Sequence, residues 1–155
     1  MAKAIIKIKG VKKSYHLSNK LEVPVLRGVD LEILEKEFVA IMGESGGGKS
    51  TLMNIIGCLT PADSGSYFLS GEDIAEAKDD YTLAFIRNKK MGFIFQQFNL
   101  LNKMSALRNV ALPGVYAGLT VIKREEKAKA LLKQVGLGDR IHHKPSELIL
   151  TLCCF

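Results

Sequence analysis

The sequence has little with which to cross-link itself or to hold a metal. It contains three cysteines, Cys58, Cys153 and Cys154. Two of them are adjacent and none has a partner at metal-ligand spacing, so neither a disulfide framework nor a zinc site is indicated, and a reducing cytosolic setting fits best. Long hydrophobic runs are missing too. No stretch approaches the ~20 apolar residues that span a bilayer. The opening MAKAIIKIKGVKKSY alternates apolar and charged residues and lacks the apolar core of a secretory signal. Any membrane connection is therefore expected to run through a partner. There is no internal repeat, no heptad pattern and no low-complexity tail.

What is present is ordinary globular material: 155 residues, 47% hydrophobic and 25% charged. That length is about one domain, and that composition excludes disorder and collagen-like repeats, so a packed core is expected. Lys and Arg number 22 against 16 Asp and Glu, a balance of +6. Such a charge favours phosphate, nucleic acid or an anionic membrane face without choosing among them.

Periodicity supplies the elements. From Ile5 to Val11 apolar residues alternate with Lys7 and Lys9, and from Val25 to Leu34 the apolar Val29, Leu31 and Ile33 recur at period two. Both read as antiparallel strands with one wet face. Phe38 to Met42 and Met91 to Phe95 are short continuous apolar runs of the kind expected for strands buried on both faces. The first is followed at once by GESGGGKST and then by the apolar LMNIIGCL, giving the order strand, glycine loop, helix. A turn at Pro61 to Gly65, a strand at Ser66 to Leu69, a turn at Ser70 and Gly71 and a helix over Tyr81 to Asn88 come next. Beyond Gln96 the texture is helical. Val110 to Tyr116 is interrupted by Pro113, and Ala128, Leu131, Leu132 and Val135 share one helix face that ends at Gly136 and Gly138.

Gly43, Gly48, Lys49 and Ser50 satisfy the phosphate-loop spacing G-x-x-x-x-G-K-[ST], with Glu44, Ser45, Gly46 and Gly47 between them. Glycines let the backbone curl until successive amides face a phosphate, and the helix N-terminus adds partial positive charge. Lys49 supplies a point charge for the β- and γ-phosphates, and Ser50 a hydroxyl for Mg²⁺. A glycine-rich linker would share the composition, but it would not sit between FVAIM and LMNII.

FVAIMGESGGGKSTLMNIIGCLTPADSG, MGFIFQQFNLLNKMSALRNVALP and VGLGDRIHHKPSEL together resemble the nucleotide-binding subunit of an ABC transporter. MNIIGCL and FIFQQFNLL point within it to the lipoprotein-release and macrolide-export group. The resemblance, which runs from Ile5 to Leu148, implies an α/β fold. It would be a P-loop NTPase-type ABC ATPase core with an N-terminal antiparallel β subdomain and the start of a helical subdomain, incomplete at the C-terminus. It places the core and β subdomain in about residues 1–97 and the helical subdomain in about 98–148, leaving 149–155 as an aberrant tail. It implies ATP and Mg²⁺ as cofactors and Tyr15 as the aromatic that stacks on adenine, where the residues alone would read a core or strand-edge tyrosine. It implies Gln96 as the Q-loop glutamine that touches metal or attacking water, although Gln97 leaves the register open by one. Thr51 would add a hydroxyl near the α-phosphate. Phe95, Phe98, Leu100 and Leu101 would flank the Q-loop and form part of the groove that accepts a coupling helix of a membrane subunit, where the residues alone would read as ordinary surface apolar side chains. His142, His143 and the KREEKAK run of Lys123 to Lys129 read as solvated.

The family pattern then stops. Leu148 is followed by ILTLCCF in place of an L-S-G-G-Q signature, no apolar run ends in Asp-Glu, and His16, His142 and His143 do not occupy the switch position. A truncated or frame-shifted chain is the expectation, able to bind nucleotide but impaired in hydrolysis and in the head-to-tail homodimer of the family. The implied partner is a membrane permease, with the chain cytoplasmic and peripheral on the inner membrane face. A binding-only nucleotide module is the alternative. A nucleic-acid P-loop protein fits Tyr15 and FIFQQFNLL less well.

Overall fold

The computed structural model describes residues 3–16, 21–74, 77, 79–95 and 99–152. The chain divides into two compact units, Met1–Arg87 and Asn88–Phe155. The first is built on a four-stranded antiparallel sheet, β1 (Ala4–His16), β2 (Glu22–Leu34), β3 (Ser64–Leu69) and β4 (Glu72–Asp73), in the order β2-β1-β3-β4. Helix α1 (Lys49–Ile56) follows the glycine loop, and α2 (Asp80–Lys90) follows β4. Ile8, Val11, Leu26, Tyr67 and Leu69 are the buried strand residues, and Leu52, Ile55, Leu83 and Ile86 the buried helix residues. Five of the unit's apolar side chains, Val11, Ile55, Tyr67, Ile74 and Leu83, meet around a small cavity of about 90 Å³. The Tyr67 hydroxyl donates to the Ile56 carbonyl at 2.6 Å, tying β3 to the end of α1.

β1 and β2 are each longer than the alternation predicts. At Gly10 the β1 register shifts between Ile8 and Val11, and the Gly10 amide donates to Asp30 Oδ1 at 2.7 Å with φ +58. The bulge returns Val11 to the inner face and re-phases the strand, which runs on through KKSYH. At the β3–β4 hairpin, Ser70 (φ +54) and Gly71 (φ +86) both take positive φ, the geometry that a two-residue hairpin loop prefers.

The two runs read as doubly buried strands form no strand. Phe38 is 95% exposed and Ile94 fully exposed, with Met42 also exposed. The reason is pairing: every ladder among the described residues is antiparallel and internal to β1–β4, so neither run has a neighbour on either edge. A strand buried on both faces needs both.

The turn at 61–65 is anchored to β1. The Asp63 amide donates to the Lys12 carbonyl at 3.0 Å, Asp63 Oδ2 accepts from the Ser14 amide at 2.7 Å, and Asp63 Oδ1 pairs with Lys13 Nζ at 2.6 Å. Desolvation alone would raise the Asp63 carboxyl, but the bonds from Lys13 and Ser14 and the charges of Lys13 and His16 outweigh it and hold it below its ordinary value. A carboxylate whose folded-state pKa is depressed stabilises the fold above the unfolded value near 3.8, and that contribution is lost as pH falls through the folded value. Asp63→Asn is therefore expected to lower urea stability at pH 7 by at most about 1 kcal/mol, given the half-exposed carboxylate. The gap should shrink toward zero as pH falls from the unfolded value near 3.8 through the lower folded value. A gap that widens on acidification would contradict this.

The second unit pairs helices α3 (Ala106–Tyr116) and α4 (Val121–Gln134), followed by a 3-10 turn, Gly138–Arg140, and α5 (Pro145–Leu152). Ser105 and Thr120 cap α3 and α4, accepting from the amides of Arg108 and Lys123. Ala106, Leu107, Ala111, Ala128 and Leu132 form the core, with Val110, Leu137, Ile141 and Leu148 packed on it. The apolar face expected on α4 is narrower than read: Leu131 and Val135 are exposed, because α3 covers only the Ala128–Leu132 side. His142 and His143 are exposed, and most of the Lys123–Lys129 run is as well.

Candidate functional site

The glycine loop joins the end of the irregular stretch after β2 to the first turn of α1. Three of its glycines adopt positive φ: Gly43 (+150), Gly46 (+80) and Gly48 (+81). At Gly48 a Cβ would lie 3.0 Å from Leu26 Cδ2 and 3.1 Å from Val25 Cγ1 on β2, so the left-handed backbone and the close approach both require glycine. Lys49 turns back over the loop. Its Nζ donates to the carbonyls of Gly43 at 2.8 Å and Glu44 at 2.5 Å, and the Gly47 amide donates to the Glu44 carbonyl at 3.2 Å. The ammonium thus stands at the rim of a curled main chain.

The N-terminus of α1 has no side-chain cap and no acidic residue in its first turn. Its first amides and its dipole end are presented to the loop, which is the arrangement that attracts an anion. Ser50 is exposed at this end, while Thr51 is 9% exposed and turned to the buried side of α1. Gly43, Glu44, Ser45, Gly46, Gly47, Gly48, Lys49 and Ser50 therefore lie on one loop and helix start. Thr51 is the member whose side chain faces inward. These residues suit a polyphosphate: the donors are amides and an ammonium, and one hydroxyl is free to reach a cation. Among the described residues no group of three His, Cys, Asp or Glu could hold a metal by itself. A Mg²⁺ here would be held by Ser50 and by phosphate oxygens, as that ion commonly is.

A family model described as "ABC transporter" matches residues 26–152. The macrolide export ATP-binding/permease protein MacB of Wolinella succinogenes is 47% identical over 148 residues, 96% of this chain and 23% of that protein. The ABC transporter ATP-binding protein YknY of Bacillus subtilis is 49% identical over 144 residues, 93% of this chain and 62% of its own length. Among solved structures, the dimeric ATP-binding cassette MJ0796 in a post-hydrolysis state with ADP and Pi superposes with a TM-score of 0.78 at 39% identity. That match covers 91% of this chain and 62% of that one. The chain belongs to the ABC transporter family.

Its fold is that of an ABC ATPase cassette, α/β, with the antiparallel β subdomain and the glycine loop in the first unit and helices in the second. The chain spans 62% of the length of YknY and of MJ0796, and 23% of MacB. No helix among the described residues is long and apolar enough to cross a membrane.

Within the cassette, Tyr15 is 40% exposed near the end of β1 and pairs with Val23 of β2. Val25, two residues further along β2, and its neighbour Leu26 are the residues that a Cβ at Gly48 would meet, so the strand paired with Tyr15 also borders the loop. Gln96, together with Gln97 and Phe98, lies outside the described residues. Phe95, Leu100 and Leu101 are exposed, and Phe95 stacks on Phe93 with ring centroids 5.8 Å apart.

Two features escape a reading of the sequence. One is Asn109, whose side chain accepts from the Leu101 amide and donates to the carbonyls of Leu101, Met104 and Ser105, closing the loop that precedes α3. An asparagine inside a helical pattern carries no such signal. The other is the Lys13–Asp63 pair beside Tyr15, whose members are 50 residues apart.

Proposed function

We propose that this chain binds Mg-ATP as the nucleotide-binding part of an ABC transporter of the macrolide-export or lipoprotein-release kind. The observation that carries the reading is the uncapped start of α1 beneath a loop curled by three positive-φ glycines and closed by Lys49. That arrangement is built for a triphosphate tail, with Lys49 on the β- and γ-phosphates and Ser50 on the cation. Tyr15 would take the base. Gln96 would meet metal or water at the γ-phosphate, and Thr51 would support the α-phosphate end of the loop.

The relatives' names supply the context: MacB joins an ATP-binding part to a permease, and MJ0796 forms a dimer. A permease on the inner face of the cell membrane is the partner we assign, with no nucleic acid. The division into a core and β subdomain over about residues 1–97 and a helical subdomain over about 98–148 belongs to this same reading.

Equilibrium dialysis with labelled ATP tests the assignment. The parent chain should bind saturably, and more tightly with Mg²⁺ than with chelator. Ser50→Ala should remove most of that Mg²⁺-dependent gain, about tenfold, while leaving metal-free binding within about twofold. Equal loss with and without Mg²⁺ would show that Ser50 does not serve the cation.

A further inference from the structure

Tyr15 does not stand alone on its strand. Lys13, on the same face of β1 two residues earlier, places its Nζ 5.8 Å from the centroid of the Tyr15 ring, within cation–π range. Lys13 is itself fixed. Its side chain is only 12% exposed, and Nζ is paired with Asp63 Oδ1 at 2.6 Å, while Asp63 Oδ2 accepts from the amide of Ser14, the residue between Lys13 and Tyr15. Asp63 in turn rides on the segment that leaves α1: Leu59 and Thr60 donate their amides to the Asn54 carbonyl, and the Asp63 amide donates to Lys12. Hydrogen bonds at Asn54 and at Asp63, joined by the short stretch of backbone from Thr60 to Asp63, therefore connect the helix that begins at the phosphate loop to the strand that carries the aromatic ring.

From this geometry we infer that Lys13, clamped by Asp63, is a positioning residue for Tyr15. Its ammonium holds one face of the ring and leaves the other to the base of an adenine nucleotide. The inference rests on the proposed role of Tyr15. The physical reason is preorganisation. An exposed tyrosine samples several rotamers, and one held by a cation that cannot itself move loses less freedom when a base stacks on it. The charge on Lys13 alone would not do this, because an unclamped lysine is a flexible four-carbon chain.

The test separates the base from the phosphates. Mg-ATP and Mg-tripolyphosphate are titrated calorimetrically into the full chain and into Lys13→Met, Asp63→Ala, Tyr15→Ala and the Asp63→Ala/Tyr15→Ala double variant. Lys13→Met and Asp63→Ala should each weaken ATP about threefold to tenfold and leave tripolyphosphate within about twofold. Lys13→Arg should restore ATP affinity. In the double variant the Asp63 substitution should add nothing to the loss caused by Tyr15→Ala, since the two act on one contact.

A merely structural role would weaken both ligands together, and that result overturns the inference, as does full additivity in the double variant. If Tyr15→Ala weakens ATP while neither Lys13→Met nor Asp63→Ala does, the clamp is refuted and the stacking role stands. If the parent binds tripolyphosphate as tightly as ATP, the stacking role fails and the clamp with it. Binding of neither ligand would refute the phosphate cradle itself.

Discussion

Lys49→Ala is expected to weaken Mg-ATP binding by about 100-fold to 1000-fold, enough to abolish it at micromolar concentrations. Two effects add. The ammonium is the one side-chain cation of the loop, residues 43–51, and removing one partner of a charge-assisted contact to phosphate costs about 2–5 kcal/mol. The same ammonium donates to the carbonyls of Gly43 and Glu44, so its loss also releases the curl that aims the amides inward. Tripolyphosphate affinity should fall by a similar factor, because the contact is with phosphate and not with the base. Calorimetric titration reads both. Retention of affinity within threefold would mean that the nucleotide does not sit on this loop.

Gly65→Ala should be the most damaging single substitution for the first unit, costing about 3 kcal/mol or more or preventing folding. Gly65 has φ +100, a conformation that L side chains rarely adopt. An added Cβ would lie 2.7 Å from Val11 Cα and 2.8 Å from the carbonyl carbon and oxygen of Gly10. All three are backbone atoms of β1 at its bulge, so no side chain can swing away to make room. Gly71→Ala is the control. Its φ is +86, yet a Cβ there would meet nothing within 4 Å, so only the backbone strain remains, about 1 kcal/mol. Urea unfolding of the two variants separates steric exclusion from strain. Equal losses would show that the close approach of β3 to β1 is not a constraint.

Much of this was readable along the chain where the cause is local. The phosphate loop is nine consecutive residues, and each positive-φ glycine that curls it stands inside the motif that announces it. The hairpin at Ser70 and Gly71 and the capped starts of α3 and α4 are local in the same sense. β1 was legible as far as Val11, just past the bulge at Gly10 that shifts the alternation and hides the strand character of KKSYH, and β2 was legible from Val25 on, short of its start at Glu22. FVAIM and MGFIF read as buried strands because that reading uses composition alone. Burial is a property of neighbours, and among the described residues these runs have none on the sheet. The link from Lys13 and Ser14 to Asp63 spans 49 to 50 residues and leaves no spacing signal, so the support around Tyr15 emerges only in the folded chain. Asn109 is hidden for the opposite reason: its partners lie close by, but an asparagine in a helix can as easily face solvent.

The most direct measurement is an amide-resolved NMR titration of ¹⁵N-labelled protein with Mg-ATP. Shifts that saturate with nucleotide and are largest at the amides of residues 44–51, with the Tyr15 ring responding to ATP and not to tripolyphosphate, are the predicted result. A folded sample in which those amides stay in place at millimolar nucleotide, or in which the largest shifts fall elsewhere, would contradict the account.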